Sequence, residues 1–200
     1  ILKEARLVGA VFNSTAARFC NCESADFSEI QGESADFYGA ALQQALLRKA
    51  HLPRARFDGV NLEQAQLDDA QLASASFASA RLLNANLHTA ASLPASLEKA
   101  DLRYQQLKGL DFTGVNLAGA DLSEAVLSQS ILRNVNLDNA TLREAQLDQL
   151  QAEGAILAET SGDALIGEPA TEAPATSKKP DAVVVIPEEQ RPRNIQMRKA

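Results

Sequence analysis

Tryptophan is absent from this chain of 200 residues, and aromatic residues make up only 4% of it. An ordinary core of this size takes much of its buried area from aromatic side chains. The 46% hydrophobic content must therefore pack through small and medium aliphatics. The two cysteines exclude a disulfide framework. No apolar run reaches the ~18 residues of a spanning helix, which excludes a helical membrane span. Basic residues are too few for a general nucleic-acid binder: 19 stand against 26 acidic ones, a net charge of −7, whereas phosphate contact needs a basic surface. No serine sits in a G-x-S-x-G setting and no Gly-rich phosphate loop occurs. Cys20 and Cys22 lack the second pair of ligands that a structural zinc site needs. They read as small buried hydrophobes, the usual behaviour of free cysteine. His51 and His88 are 37 residues apart and form no pair. No enzyme, metal or cofactor is expected. The chain opens at Ile1, and its one methionine is Met197, so a fragment with flanking domains in a larger bacterial protein is expected, without a visible signal peptide.

What the chain does have is a period of five. At every fifth position from Leu2 to Leu157, Leu or Phe fills 27 of 32 places, with Ala17, Cys22, Gly32, Ser92 and Ala152 as the exceptions. Random placement would put about 7 there, so the period is not chance. Two residues earlier runs a second series, from Ala5 to Ala155, in which 21 of 31 positions are Ala. The stretch Val115–Glu124 shows the unit twice: small, polar, Leu, polar, polar. Neither regular element tolerates this period. In a helix, steps of five spiral around the rod, and in a strand they alternate faces. Either would strand leucines in water at about 1.5–3 kcal/mol each. A chain that bends once per five residues turns every Leu and every Ala inward. Four such sides close a coil of 20 residues, with the small positions narrow because two side chains per side share the interior.

The pairs Asn61-Leu62, Asn86-Leu87, Asp101-Leu102, Asn116-Leu117, Asp121-Leu122 and Asn136-Leu137 carry a resemblance to the pentapeptide-repeat family, whose unit is A-(D/N)-L-x-x. The resemblance covers residues 1–160. It implies an all-β fold, a right-handed quadrilateral β-helix of about eight coils. In that fold Leu62, Leu67, Leu72, Leu117, Leu122, Ala120 and Ala125 are expected in the core. Phe37, Phe57 and Phe77, 20 apart, are expected to form an internal aromatic ladder. The register is weakest around Ala17, Cys22 and Gly32 and again at Ser92-Leu93-Pro94. An irregular coil or protruding loop is expected over 15–33 and near 90–95, without a shift of frame. Residues 161–200 hold five of the seven prolines and read as a disordered linker or tail. Its apolar island, Ala182–Ile186, is too short to fold alone.

The leading functional expectation is a non-enzymatic protein-interaction or scaffold module, cytoplasmic, with no direct nucleic-acid binding. The side carrying Asp58, Glu98 and Asp138 at 40-residue spacing is the candidate binding surface. Some family members bind DNA gyrase or topoisomerase IV as acidic mimics of duplex DNA, which makes that the alternative. Mixed charge signs on every side, and the basic run Arg48–Arg56, count against it. A secreted effector or secretion-apparatus component is a third reading.

Overall fold

A computed structural model describes residues 1–156 and Thr160. The tail expected over 161–200 lies outside the described residues. The chain is a β-solenoid with a 20-residue coil. Away from residues 86–92, the residue before a Leu position pairs in parallel with its counterpart 20 residues on, as in Arg6↔Asp26, Asn61↔Arg81 and Asn116↔Asn136. Four five-residue sides make up each coil.

One unit shows how the bend is built. The Leu62 N–H donates to the Arg81 carbonyl of the next coil at 2.8 Å, and the Arg81 N–H donates back to Val60 at 2.9 Å. The Ala65 N–H then returns to the Leu62 carbonyl at 2.9 Å, closing a β-turn whose third residue, Gln64, has φ 60°. Positive φ costs a non-glycine residue roughly 1–2 kcal/mol. The chain accepts it at one residue per side because the turn aims the Leu and the small residue into the same interior. Away from residues 86–92 the stacked hydrogen bonds repeat from coil to coil, so few backbone groups inside the rod go unpaired.

The core follows the two series. Leu62, Leu67, Leu72, Leu117, Leu122, Ala120 and Ala125 are all fully buried. Phe37 and Phe57 stack with ring centroids 5.1 Å apart, and Phe57 and Phe77 at 4.7 Å. That spacing is about the distance between hydrogen-bonded strands, so the rings stack because the backbones do. Phe12 and Phe27 extend the cluster, edge-on to one another at 5.6 Å.

Where a polar side chain replaces Ala at Gln105, Ser130 and Thr160, it uses a spare carbonyl lone pair. Gln105 and Ser130 are buried at small positions, and both donate to the Leu-position carbonyl 23 residues back: Gln105 Nε2 to Leu82 at 2.6 Å, Ser130 Oγ to Leu107 at 2.7 Å. Thr160 Oγ1 does the same to Leu137 at 2.8 Å. Each of those carbonyls already closes its own turn or lies beside one, and a carbonyl oxygen has two lone pairs to offer.

Two sequence expectations are corrected and a third holds. Residues 15–33 are not irregular: Ala16↔Asp36, Asn21↔Ala41, Asp26↔Leu46 and Gln31↔His51 all keep the 20-residue register. Small residues at Leu positions are compatible with the coil because the next coil fills the gap. A Cβ on Gly32 would lie 2.8 Å from Leu52 Cδ2, so Leu52 already occupies that space. Second, Cys20 and Cys22 are not free. They are joined in a disulfide with Cα atoms 5.8 Å apart, because the small and Leu positions of one side both face inward. The expected irregularity near 90–95 is present, as an irregular coil rather than a protruding loop. A 3-10 turn, Leu87–Thr89, leads into a coil in which Pro94, rather than Ala95, is buried. The local pairing slips to Gln71↔Ser92 and returns at Ser76↔Ser96. Side chains repair the ladder there: Asn86 Oδ1 accepts from Leu67 N–H, and Ser92 Oγ accepts from Leu72 N–H at 2.9 Å.

Candidate interaction surface

Asp58, Glu98 and Asp138 lie on one side of the solenoid, two coils apart from each other, and the first two are engaged locally. Asp58 takes the Arg56 guanidinium at 2.7 Å, the Ser76 hydroxyl and the Ala78 N–H at 3.2 Å. Glu98 pairs with Lys99 at 3.3 Å and accepts from Asn116 Nδ2 at 3.4 Å. Between them the side carries Ser79, Ala118 and Gly119. The three carboxylates therefore form no continuous negative stripe.

The same side holds a different constellation near the start of the rod. Phe19 is 70% exposed and sits at a corner with φ 51°. It packs edge-on against Tyr38 at 5.3 Å. Its ring lies over Gly39, where an added Cβ would come within 2.7 Å of two ring carbons. Arg56 stacks over Tyr38 at 4.4 Å and Arg18 lies 5.7 Å from the same ring. Each guanidinium is fixed through Nε, Arg18 to Asp36 at 2.6 Å and Arg56 to Asp58 at 2.7 Å. Burial pushes the Asp36 carboxyl up, but the Tyr38 N–H and Arg18 together hold it below the ordinary carboxylate value. The Asp58 hydrogen bond holds the Arg56 guanidinium in its charged form.

The sequence singles out Asp58, and the structure sets the Phe19–Tyr38 pair beside it. The available signal was Phe19 itself, a Phe that falls outside the inward series. Tyr104, 51% exposed, is the comparable corner aromatic further along. It hydrogen-bonds to Glu124, which raises its phenol above the usual value.

Charge is divided along the rod. Residues 1–60 carry seven basic and seven acidic side chains, whereas residues 61–160 carry six and thirteen. Among the described residues no group of three or more His, Cys, Asp or Glu is placed to hold a metal ion. No helix there is long and apolar enough to cross a membrane.

The chain is similar to several proteins of solved structure. HetL, a pentapeptide repeat protein involved in heterocyst differentiation regulation in the cyanobacterium Nostoc, is 29% identical over 80% of this chain and 79% of that one, with a TM-score of 0.43. QnrB1, a plasmid-mediated fluoroquinolone resistance protein, is 23% identical over 79% and 77%, with a TM-score of 0.41. A pentapeptide repeat protein of the Arabidopsis thaliana thylakoid lumen is 26% identical over 60% and 59%, with a TM-score of 0.27. No curated protein sequence matches the chain. The family model for pentapeptide repeats matches eight copies within residues 35–72, 55–90, 95–134 and 120–157, more than half of the chain. With its five-residue sides and 20-residue parallel register, the chain belongs to the pentapeptide-repeat family.

Proposed function

We propose that the chain is a non-enzymatic protein-interaction or scaffold module. The observation that carries this reading is the exposed Phe19 against half-buried Tyr38, with two arginines stacked on the tyrosine. Inside the rod, aromatic rings serve packing. Phe19 instead packs on the outside, against Tyr38 and over Gly39, and an aromatic–arginine cluster on a rigid surface has the composition of a binding hot spot. Some corner side chains are linked from coil to coil by hydrogen bonds, as in Ser24–Gln44–Gln64 and Gln129–Gln149, which stiffens the surface. The test is affinity capture with the full chain from its source cell, comparing the natural chain with Phe19→Ser. A protein retained in stoichiometric amount by the first and lost with the second supports the reading. Retention of nothing above a bare-matrix control opposes it.

A second reading has its own support: the whole net charge of −7 falls in residues 61–160. An acidic rod segment of that kind is what a duplex-DNA mimic acting on a type II topoisomerase needs. Against it stand Arg81, Lys99, Arg103, Arg133 and Arg143, spread through the same segment and paired with its carboxylates. A gyrase supercoiling assay decides. Inhibition or protection by micromolar protein supports mimicry, and no effect removes it. A cytoplasmic site of action remains part of the proposal, and the Cys20–Cys22 disulfide weighs against it, since such bonds persist mainly in oxidising compartments.

A further inference from the structure

We infer that the rod contains a built-in joint. Residues 1–85 and 96–156 are two stiff stacks, and the stretch 86–95 between them lets one tilt against the other. The inference concerns how the rod bends and does not depend on which partner it meets.

Backbone pairing locates the joint. Twelve backbone hydrogen bonds tie residues 61–80 to the preceding coil, on all four sides, as in Leu47 N–H to Gln66, Leu52 N–H to Gln71, and Gln71 N–H back to Ala50. Residues 101–120 are tied to theirs by five: Leu82 to Asp101, Leu97 to Asn116, Lys99 to Ala118, Asp101 back to Ala80 and Asn116 back to Ala95. These five fall on two adjacent sides. On the other two, residues 86–94 share no backbone hydrogen bond with 106–115, and no bridge pairs Asn86 with Gln106 or Ala91 with Asp111. The Gln106 and Asp111 N–H groups have no partner in the chain, and both residues are exposed, so water satisfies them.

The sequence explains the break. Each regular side ends at a corner with positive φ, as at Asn84 and Lys99, but positions 89 and 94 do not take it. Proline is locked near φ −65° and has no N–H to donate, and a β-branched threonine resists positive φ. With two successive corners unavailable, the stretch stays with the coil before it, through Ala91 N–H to Ala70 and Ala95 N–H to Ala75, both at 2.9 Å. The coil after it keeps an open edge, and Leu93 and Leu110 are only partly buried on the open sides.

The geometry is that of a hinge. The retained bonds meet at the corner of Lys99 and Asp101, diagonally across the square from the open corner at Thr89–Ala91. Gln105 Nε2, bonded to the Leu82 carbonyl at 2.6 Å, strengthens the retained side. Rotation about that corner parts the open edge without breaking a ladder bond, whereas a bend between fully laced coils would break several. Motion concentrates where few bonds resist it.

Two measurements on the full chain test the joint. By hydrogen exchange, the amides of Leu87, Ser92, Gln106 and Asp111 should exchange at least about 100-fold faster than those of Leu47, Leu52, Gln66 and Gln71. For distances, Cys20→Ala and Cys22→Ala remove the native thiols, and spin labels are placed at Lys49→Cys with Gln129→Cys on the open corner, or at Glu63→Cys with Arg143→Cys on a retained side. Both pairs span the joint and lie four coils apart, roughly 19 Å at the strand spacing. The open-corner pair should give a distance distribution at least two-fold wider than the retained-side pair. Exchange at Gln106 and Asp111 within ten-fold of Gln66 and Gln71 would overturn the inference. Equally narrow distributions for the two pairs would also overturn it, even with fast exchange, because a break in the ladder that does not bend is not a joint.

Discussion

Leu72→Asp and Ala73→Asp are adjacent substitutions that the fold treats in opposite ways. Leu72 is fully buried, and Ala73, the next residue, is exposed. Losing the burial of one Leu costs about 1.5–3 kcal/mol. A carboxylate in that slot has no charged partner and becomes protonated rather than staying ionised. If burial raises its pKa from about 3.9 to about 7, neutralising it at pH 7 costs about 4 kcal/mol more, at 1.36 kcal/mol per pKa unit. The total approaches 6 kcal/mol at neutral pH, comparable with the whole stability of many domains. The sign of the pH effect follows. The folded-state pKa lies above the unfolded one, so the ionisation cost is present above both and vanishes as pH falls to about 4. Urea melts at pH 7 and pH 4, followed by circular dichroism, should show Leu72→Asp recovering much of its deficit at the lower pH. Ala73→Asp should stay within about 0.5 kcal/mol of the natural chain, as surface changes do. Equal deficits for both, or a Leu72→Asp deficit independent of pH, would refute the inward assignment of the Leu series.

Other consequences are as specific. Phe57→Ala, in the middle of the stacked Phe37–Phe57–Phe77 series, should cost about 3–5 kcal/mol, and Phe57→Leu about 1 kcal/mol, read by denaturant midpoints. Ser123→Asp should not be silent. The Ser123 hydroxyl donates to Asp121 at 2.6 Å, and a carboxylate there replaces attraction by repulsion, costing roughly 1 kcal/mol. Thiol titration of the unfolded, unreduced chain should find no free cysteine, and two after reduction. Two before reduction would contradict the bond. The Arg103 hydrogen bonds hold the Asp101 carboxyl below its ordinary value of 3.8. That contribution should be intact above about pH 4 and lost as pH falls below it. Arg103→Gln should flatten the acid limb of the stability profile.

The coil was legible because its physics is repetitive. A five-residue period with Leu and Ala in fixed phase fits neither helix nor strand, and the inward slots of Leu62, Leu122 and Ala120 follow from it. The exceptions were harder to read because they are settled between coils. Gly32 looks like a defect along the chain, yet Leu52 of the next coil fills its space. Pro94 looks like a loop, yet one slipped pairing buries it. The disulfide requires knowing that both inward positions of one side face each other. The proposed interaction surface was half legible. Asp58 was singled out as one of three carboxylates on a side, but its bonds to Arg56 and Ser76 make it a brace for the arginine. The aromatic pair needed the 20-residue stacking that sets Phe19 beside Tyr38 and over Gly39.

The central claim is that this rod meets its partner through the Phe19–Tyr38 side. It is tested most directly by photo-cross-linking in the source cell, with a benzophenone amino acid introduced at Ala16, exposed on that side, or at Gln149, exposed at a far corner. The account predicts a discrete cross-linked protein from position 16 that disappears when Phe19→Ser is added, and none from position 149. The same product from both positions, or a position-16 product indifferent to Phe19→Ser, would contradict it.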